Sequence, residues 1–180
     1  IRPTIGIFTN VGQAHDENFL TRYQKIAEKL QLFIHTKTLI YCSDYKDIHS
    51  AILEQEAFRN VERFTWGSGE DNAVRLVETI VGQNTTILNI EYQGNLHQLT
   101  IPFTDKASAE NAMHCIVLLL YLGYDPDWIS ARCQHLSPVA MRLEINEAVN
   151  GCLLVNDSYS LDINSLTIAL DYVMQERQHS

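Results

Sequence analysis

Short apolar runs and amphipathic stretches alternate over the first third of the chain. Two apolar runs, 4–9 (TIGIFT) and 38–42 (TLIYC), have the length and composition of strands that are buried on both faces of a sheet. Each run precedes a stretch, 17–33 or 45–55, in which apolar residues recur every three or four positions, as on one face of a helix. This alternation of strand and helix predicts a parallel sheet.

The middle of the chain changes to shorter patterns. Residues 61–66 alternate between apolar and polar side chains like a strand, and we expect a helix over 73–81. Two runs rich in β-branched and apolar residues, 85–92 and 96–103, flank Gln93-Gly94-Asn95, which is typical of a hairpin turn. We therefore expect an antiparallel hairpin beside the parallel strands.

The C-terminal part predicts two helices and then a second hairpin. Residues 107–122 carry the strongest helical pattern, and Asp125 and Pro126 suit the N-cap and first position of another helix. Ser137-Pro138 ends that helix, because proline cannot continue it. The remaining expected elements are strands at 143–149 and 152–156 around Asn150-Gly151, and a helix at 165–175.

Charge and cysteine content narrow the class of protein. The 180 residues carry a net charge of −9, which argues against a nucleic-acid or anionic-membrane partner. The four cysteines lie far apart without a C-x-x-C pair, as expected for reduced core cysteines of a cytoplasmic protein. The longest apolar run, 115–122, is too short to span a bilayer.

Three segments, in this order along the chain, resemble the Mur ligase family of ATP-dependent enzymes. The first is TNVGQAHDENF at 9–19, with a lysine downstream, and the second is AENA at 109–112. The third combines MRLE at 141–144 with NDSY at 156–159. Within the family, the segments are most similar to the members that add D-alanyl-D-alanine, and their details resemble the form fused to an alanine racemase.

The resemblance implies an α/β fold. The chain would hold the later part of a P-loop-type central domain, with a parallel sheet and an antiparallel hairpin, and the first β-β-α elements of a Rossmann-like C-terminal domain. With the boundary expected near Ser137 to Arg142, the predicted domains are 1–138 and 139–180. The chain starts at Ile1 rather than Met and has no G-x-x-x-x-G-K-[ST] stretch. We therefore expect a piece of a longer protein, without ligase activity by itself.

The resemblance also implies a reaction in peptidoglycan synthesis. ATP phosphorylates the carboxylate of UDP-N-acetylmuramoyl-tripeptide, and the amine of D-Ala-D-Ala attacks the acyl phosphate. The expected cofactors are ATP and Mg²⁺, since the site must bring several anions together. The expected partners are these small substrates and the remaining domains of the parent chain.

Three residues near the first strand are implied on the metal side of the site. His15 would be a Mg²⁺ ligand and Lys29 a second one after carbamylation, with Glu17 as a weaker candidate. A carbamate requires a neutral amine, which burial or nearby cations favour. Without the resemblance, His15 suits a turn, Glu17 a helix N-terminus and Lys29 a solvated face. Lys25, one turn earlier, is expected to face solvent.

Three further residues are implied on the nucleotide side. Asn111 would contact adenine, because an amide both donates and accepts hydrogen bonds. Arg142 would reach the phosphates or ribose from a hinge, and Asp157 would hold the ribose or the hinge. The simpler alternatives are a polar helix residue for Asn111 and surface ion pairs for the other two, worth at most about 1 kcal/mol.

Some positions depart from the family pattern. Glu110 and His114 stand where the family often has histidine and asparagine, and Ser160 stands where it usually has asparagine. Two other functions therefore stay open: another Mur-type or folylpolyglutamate-synthase-like amide ligase, and a module that keeps the fold without catalysis.

Overall fold

The computed structural model describes residues 3–12, 19, 21–137, 144–156, 158, 166–171, 173 and 174. Contacts divide the chain into two compact units. The first consists of residues 1–11 and 15–136, and the second of residues 12–14 and 137–180. The division into domains at 1–138 and 139–180 stays a prediction.

A six-stranded sheet organises the first unit, and its strands lie side by side in chain order. The strands are β1 (Ile5–Phe8), β2 (Thr38–Cys42), β3 (Glu62–Gly67), β4 (Val74–Val81), β5 (Thr86–Tyr92) and β6 (Asn95–Ile101). Strands β1 to β4 pair in parallel, whereas β4–β5 and β5–β6 pair antiparallel. This mixed sheet with helices confirms the predicted α/β class.

Four helices accompany the sheet: α1 (Arg22–Leu30), α2 (Lys46–Glu54), α3 (Lys106–Tyr121) and α4 (Pro126–Cys133). Side chains cap three of their N-termini, where backbone N–H groups lack helical partners. Thr21 accepts from the Gln24 amide, and Asp105 accepts from the Ser108 amide at 2.8 Å. Asp125 accepts from the amides of Asp127 and Trp128 and precedes Pro126, which confirms the predicted start of α4.

The strand β2 divides the core into two layers. Ile40 and Cys42 point into the cluster that contains α3 and α4, and Leu39 and Tyr41 point into the cluster that contains α1 and α2. All five residues of β2 are buried, because the sheet is covered on both faces. The continuous apolar run at 38–42 reflects this double burial.

The prediction of a helix over 73–81 is wrong, since these residues include the strand β4. Two residues of β4 pair with β3, and nearly the whole strand pairs with β5. A bulge at Val77 shifts the register between Leu76 and Glu78 and breaks the two-residue alternation that marks a strand in a sequence.

Both predicted turns have the backbone that their sequences favour. Gln93 and Gly94 join β5 to β6 with φ angles of 50° and 77°. In the second unit, Asn150 and Gly151 have φ angles of 62° and 71° between β7 (Glu144–Glu147) and β8 (Leu153–Asn156). Residues 166–171, 173 and 174 are helical, within the helix expected at 165–175.

The cysteines are all free, but the prediction that they lie in the core is half wrong. Cys42 and Cys133 are buried, whereas Cys115 and Cys152 are exposed. Cys115 lies on α3, on the helix face turned away from the sheet, and apolar character alone does not identify that face. Among the described residues, no helix is long and apolar enough to cross a membrane.

This difference predicts the order of thiol alkylation. Burial raises the pKa values of the Cys42 and Cys133 thiols to about 11, so about one in a thousand is ionised at pH 8, and the buried sulfur is also shielded. We expect iodoacetamide at pH 8 to modify Cys115 and Cys152 first, as measured by peptide mass spectrometry. In urea, all four should react alike; equally fast modification of Cys42 in the folded protein would contradict the fold.

Candidate functional site

The parallel strands β1, β2 and β3 all end at one edge of the sheet. Thr9, Ser43 and Ser68 follow directly after these ends. In open α/β sheets, ligands bind outside the carboxyl ends of the strands, where loops and helix N-termini meet. We call this side of the first unit the carboxyl edge.

The N-terminal half of α3 lies at the carboxyl edge. The Tyr45 hydroxyl, just beyond β2, donates to Glu110 at 2.7 Å, and Trp66 Nε1 near the end of β3 donates to His114 Nδ1 at 3.1 Å. The other end of α3 reaches the first residues of the same strands. There the Tyr121 hydroxyl donates to Glu62 at 3.0 Å and bonds Thr38 at 2.6 Å. The helix therefore runs from the carboxyl edge to the opposite edge.

This orientation places Asn111 at the carboxyl edge, next to Glu110 and one turn before His114. Its side chain is exposed and makes no hydrogen bond within the described part of the chain. An exposed amide offers both a donor and an acceptor, so the position fits contact with the edge of a base.

Two of the three departures from the family pattern, Glu110 and His114, have partners in the structure, and the third, Ser160, lies outside the described residues. Glu110 accepts the Tyr45 hydroxyl and also lies 3.6 Å from the Lys106 ammonium. Burial, followed by the bond to the Glu110 carboxylate, raises the pKa of Tyr45, so this hydroxyl stays a donor. Glu110 therefore joins α3 to the segment after β2.

His114 is a buried titratable group at this edge, with 4% of its surface exposed. Its ring lies edge-on to the Trp66 indole, with centroids 5.1 Å apart. Burial lowers the pKa of His114 to about 4, and the Thr9 backbone partly opposes this shift by favouring the charged ring. The ring is therefore neutral at physiological pH, with Nδ1 as the acceptor from Trp66.

Arg22 holds the segment that leads towards His15. Its Nη1 donates to the Val11 carbonyl at 2.7 Å, and its Nε bonds the Asp47 carboxylate at the start of α2. Burial opposes ionisation of Asp47, but the Arg22 guanidinium outweighs it and lowers the pKa of the carboxyl. The sequence gives no signal for this residue, since Arg22 and Asp47 lie on different helices.

The prediction that Lys25 faces solvent is wrong. Lys25 is 2% exposed, with its ammonium 5.9 Å from the centroid of the Phe19 ring. A cation can be buried against an aromatic face while its aliphatic stem packs on apolar neighbours. Lys29 is exposed, so the buried lysine of α1 is Lys25. Helical periodicity could not show that the Phe19 ring, from before α1, lies close to the Lys25 ammonium.

Four of the predicted site residues lie outside the described residues: His15, Glu17, Arg142 and Asp157. Within the described ranges, no three His, Cys, Asp or Glu side chains come together as a metal site. Lys29 and Asn111 are thus the predicted site residues that the structure locates, and their proposed roles stay predictions.

A polar cluster that the sequence did not predict joins the ends of β2 and β3. The Asp44 carboxylate accepts from the Ser68 amide at 2.9 Å and from the Ser68 hydroxyl at 3.0 Å. A Cβ atom on Gly67 would lie 2.7 Å from Asp44 Oδ1, closer than real contacts allow. The cluster therefore favours glycine at the end of β3, since a larger residue would displace Asp44.

With this geometry established, comparison with known proteins identifies the class. Residues 1–119 match the Mur ligase middle domain family, and the chain therefore belongs to that family. Among its relatives is the UDP-N-acetylmuramoyl-tripeptide–D-alanyl-D-alanine ligase of Bacillus subtilis (strain 168). The two are 26% identical over 171 residues, which are 93% of this chain and 35% of the relative.

Solved structures have the same fold. MurF from Acinetobacter baumannii superposes with a TM-score of 0.80 at 18% identity, over 97% of this chain and 38% of that one. MurF ligase from Thermotoga maritima in complex with ADP gives 0.72 at 20% identity, over 96% of this chain and 39% of that one. The chain thus spans about a third of the length of these relatives.

The polar cluster at Gly67 gives a prediction about stability. Gly67→Ala should lower the free energy of unfolding by about 1–3 kcal/mol, since a strained backbone and a displaced Asp44 both cost energy. The φ angle of Gly67 is 155°, and the control is Gly94→Ala, where φ is 77° but no atom lies within 4 Å of the added carbon. Urea unfolding followed by circular dichroism should show the larger loss for Gly67→Ala, and equal losses would contradict the described contact.

Proposed function

We propose that the protein containing this chain is an ATP-dependent ligase of peptidoglycan precursor synthesis that joins D-Ala-D-Ala to UDP-N-acetylmuramoyl-tripeptide. The family match over residues 1–119 carries this proposal. The name of the B. subtilis relative supports the choice of substrates.

The carboxyl edge is the proposed nucleotide site. The T. maritima relative was solved with ADP, which supports a nucleotide in this fold. In this chain, the exposed Asn111 amide has the donor and acceptor that an adenine edge requires. ATP, when bound, supplies the phosphoryl group that activates the substrate carboxylate.

The remaining roles follow the resemblance residue by residue. His15 and a carbamylated Lys29 are proposed to hold Mg²⁺, with Glu17 in support. Arg142 and Asp157 are proposed to reach the nucleotide. The predicted cytoplasmic location and the fused alanine racemase domain stay predictions.

The proposal predicts a reaction that depends on all three substrates. The full-length protein should release ADP when ATP, UDP-N-acetylmuramoyl-tripeptide and D-Ala-D-Ala are all present. Asn111→Ala should raise the KM for ATP about tenfold, which corresponds to about 1.4 kcal/mol of lost binding, with a smaller change in kcat.

Asn89→Ala is the matched control, because Asn89 is an amide on β5 that bonds the surface residues Glu78 and Gln98. It should leave the KM for ATP unchanged. A full-length protein without turnover in this assay would contradict the proposed ligase, and an unaltered KM in Asn111→Ala would contradict the adenine contact.

The two lysines of α1 test the carbamate. In full-length protein equilibrated with carbon-13-labelled CO₂, we expect a carbamate resonance that Lys29→Met removes and Lys25→Met retains. The two residues are one helical turn apart but differ in burial, so each controls for the other. A resonance that persists in Lys29→Met would refute the assignment to Lys29. If only Lys25→Met removes the resonance, the carbamate belongs to the buried Lys25.

A further inference from the structure

One buried ring joins three elements at the carboxyl edge. His114 belongs to α3, its hydrogen-bond donor Trp66 belongs to β3, and the Thr9 backbone beside it follows directly after β1. Trp66 is itself 3% exposed, so this contact is shielded from water. Shielding strengthens the bond and makes an unpaired indole N–H at this place costly.

The contact fixes which ring nitrogen carries the proton. Since Nδ1 accepts from Trp66, the proton of the neutral ring is on Nε2. The Thr9 backbone favours added positive charge on the ring, as a nearby carbonyl oxygen does. The ring thus presents its acceptor nitrogen to β3 and lies beside the Thr9 backbone at the end of β1.

An apolar side chain would fill the same space without desolvating a polar ring. Burial of a polar group is unfavourable unless its partners compensate for the lost water. Unlike apolar packing, the contacts of His114 have preferred directions. These contacts therefore set the position of α3 along the strands as well as its distance from the sheet.

Both ends of this link lead to proposed site residues. Thr9 starts the segment TNVGQAH, which ends at His15, and Asn111 lies one turn before His114 on α3. We propose that His114 is a positioning residue of the nucleotide site, which holds the end of β1 and the Asn111 helix in one arrangement through Thr9 and Trp66. This inference rests on the proposed ligase function.

The test uses ligase kinetics of the full-length protein, at a temperature well below the melting point of each variant. His114→Leu removes the acceptor and the donor, and Trp66→Phe removes the indole N–H from the other side. Both should raise the KM for ATP, by about tenfold for His114→Leu, since small misplacements of binding groups are costly. The KM for D-Ala-D-Ala should stay unchanged. His114→Gln, which keeps an acceptor and a donor, should restore most of the affinity for ATP.

Tyr121→Phe is the matched control for loss of stability. Tyr121 lies on the same helix as His114, and its hydroxyl bonds the side chains of Thr38 and Glu62 at the opposite edge of the sheet. The substitution should lower the melting temperature and leave the KM for ATP unchanged. If His114→Leu does not fold, Trp66→Phe and His114→Gln test the same link.

The outcomes separate the inference from the proposed function. An active wild type whose KM for ATP is unaffected by His114→Leu and Trp66→Phe refutes the positioning role alone. The same holds if Tyr121→Phe raises that KM as much, because the effect would then be general destabilisation. A wild type without turnover contradicts the proposed ligase, and the inference falls with it.

Discussion

The placement of α3 on the sheet is the constraint on which the candidate site depends. Ala112, Met113, Ile116, Val117 and Leu120 of this helix are buried in the cluster that also contains residues of β2 to β6. Burial of apolar surface at about 25 cal/mol per Å² makes this docking favourable, but the attraction has no preferred direction. Apolar packing therefore explains why α3 covers the sheet. It does not explain the position of the helix along the strands, which places its N-terminal half at the carboxyl edge.

Directional bonds at both ends of the helix determine that position. Glu110 and His114 attach its first half to the ends of β2 and β3, and Tyr121 attaches its last turn to the strand beginnings. Among them the Trp66–His114 bond is buried, and removal of one partner of a buried bond costs about 1–3 kcal/mol. This cost is modest beside the apolar contribution, but it is specific to one arrangement. The helix thereby brings Asn111 to the edge where parallel sheets bind ligands.

Local signals were sufficient for much of the architecture. The apolar run of β2, the Gln93-Gly94 turn and the Asp125 cap each depend on neighbours in the sequence, and the structure confirms them. The strand β4 was missed because a bulge at Val77 interrupts its alternation. The prediction for Lys25 was wrong because helical periodicity does not reveal its contact with Phe19, which comes before the helix.

The candidate site was predictable only in part, because several of its contacts join residues that are distant in the sequence. The motifs pointed to Lys29 and Asn111, and the structure places Asn111 at the carboxyl edge. Glu110 and His114, by contrast, looked like departures from a pattern. Their partners Tyr45 and Trp66 lie 65 and 48 residues away, so their roles are visible only after folding. Arg22 could not be found from sequence because its contacts with Val11 and Asp47 are tertiary.

The central claim is that α3 presents a nucleotide-binding residue at the carboxyl edge of a Mur ligase middle domain. A crystal structure of the full-length protein with ADP tests it most directly. The account predicts adenine within hydrogen-bond distance, about 3 Å, of the Asn111 amide. Adenine bound elsewhere, with Asn111 still facing solvent, would contradict it.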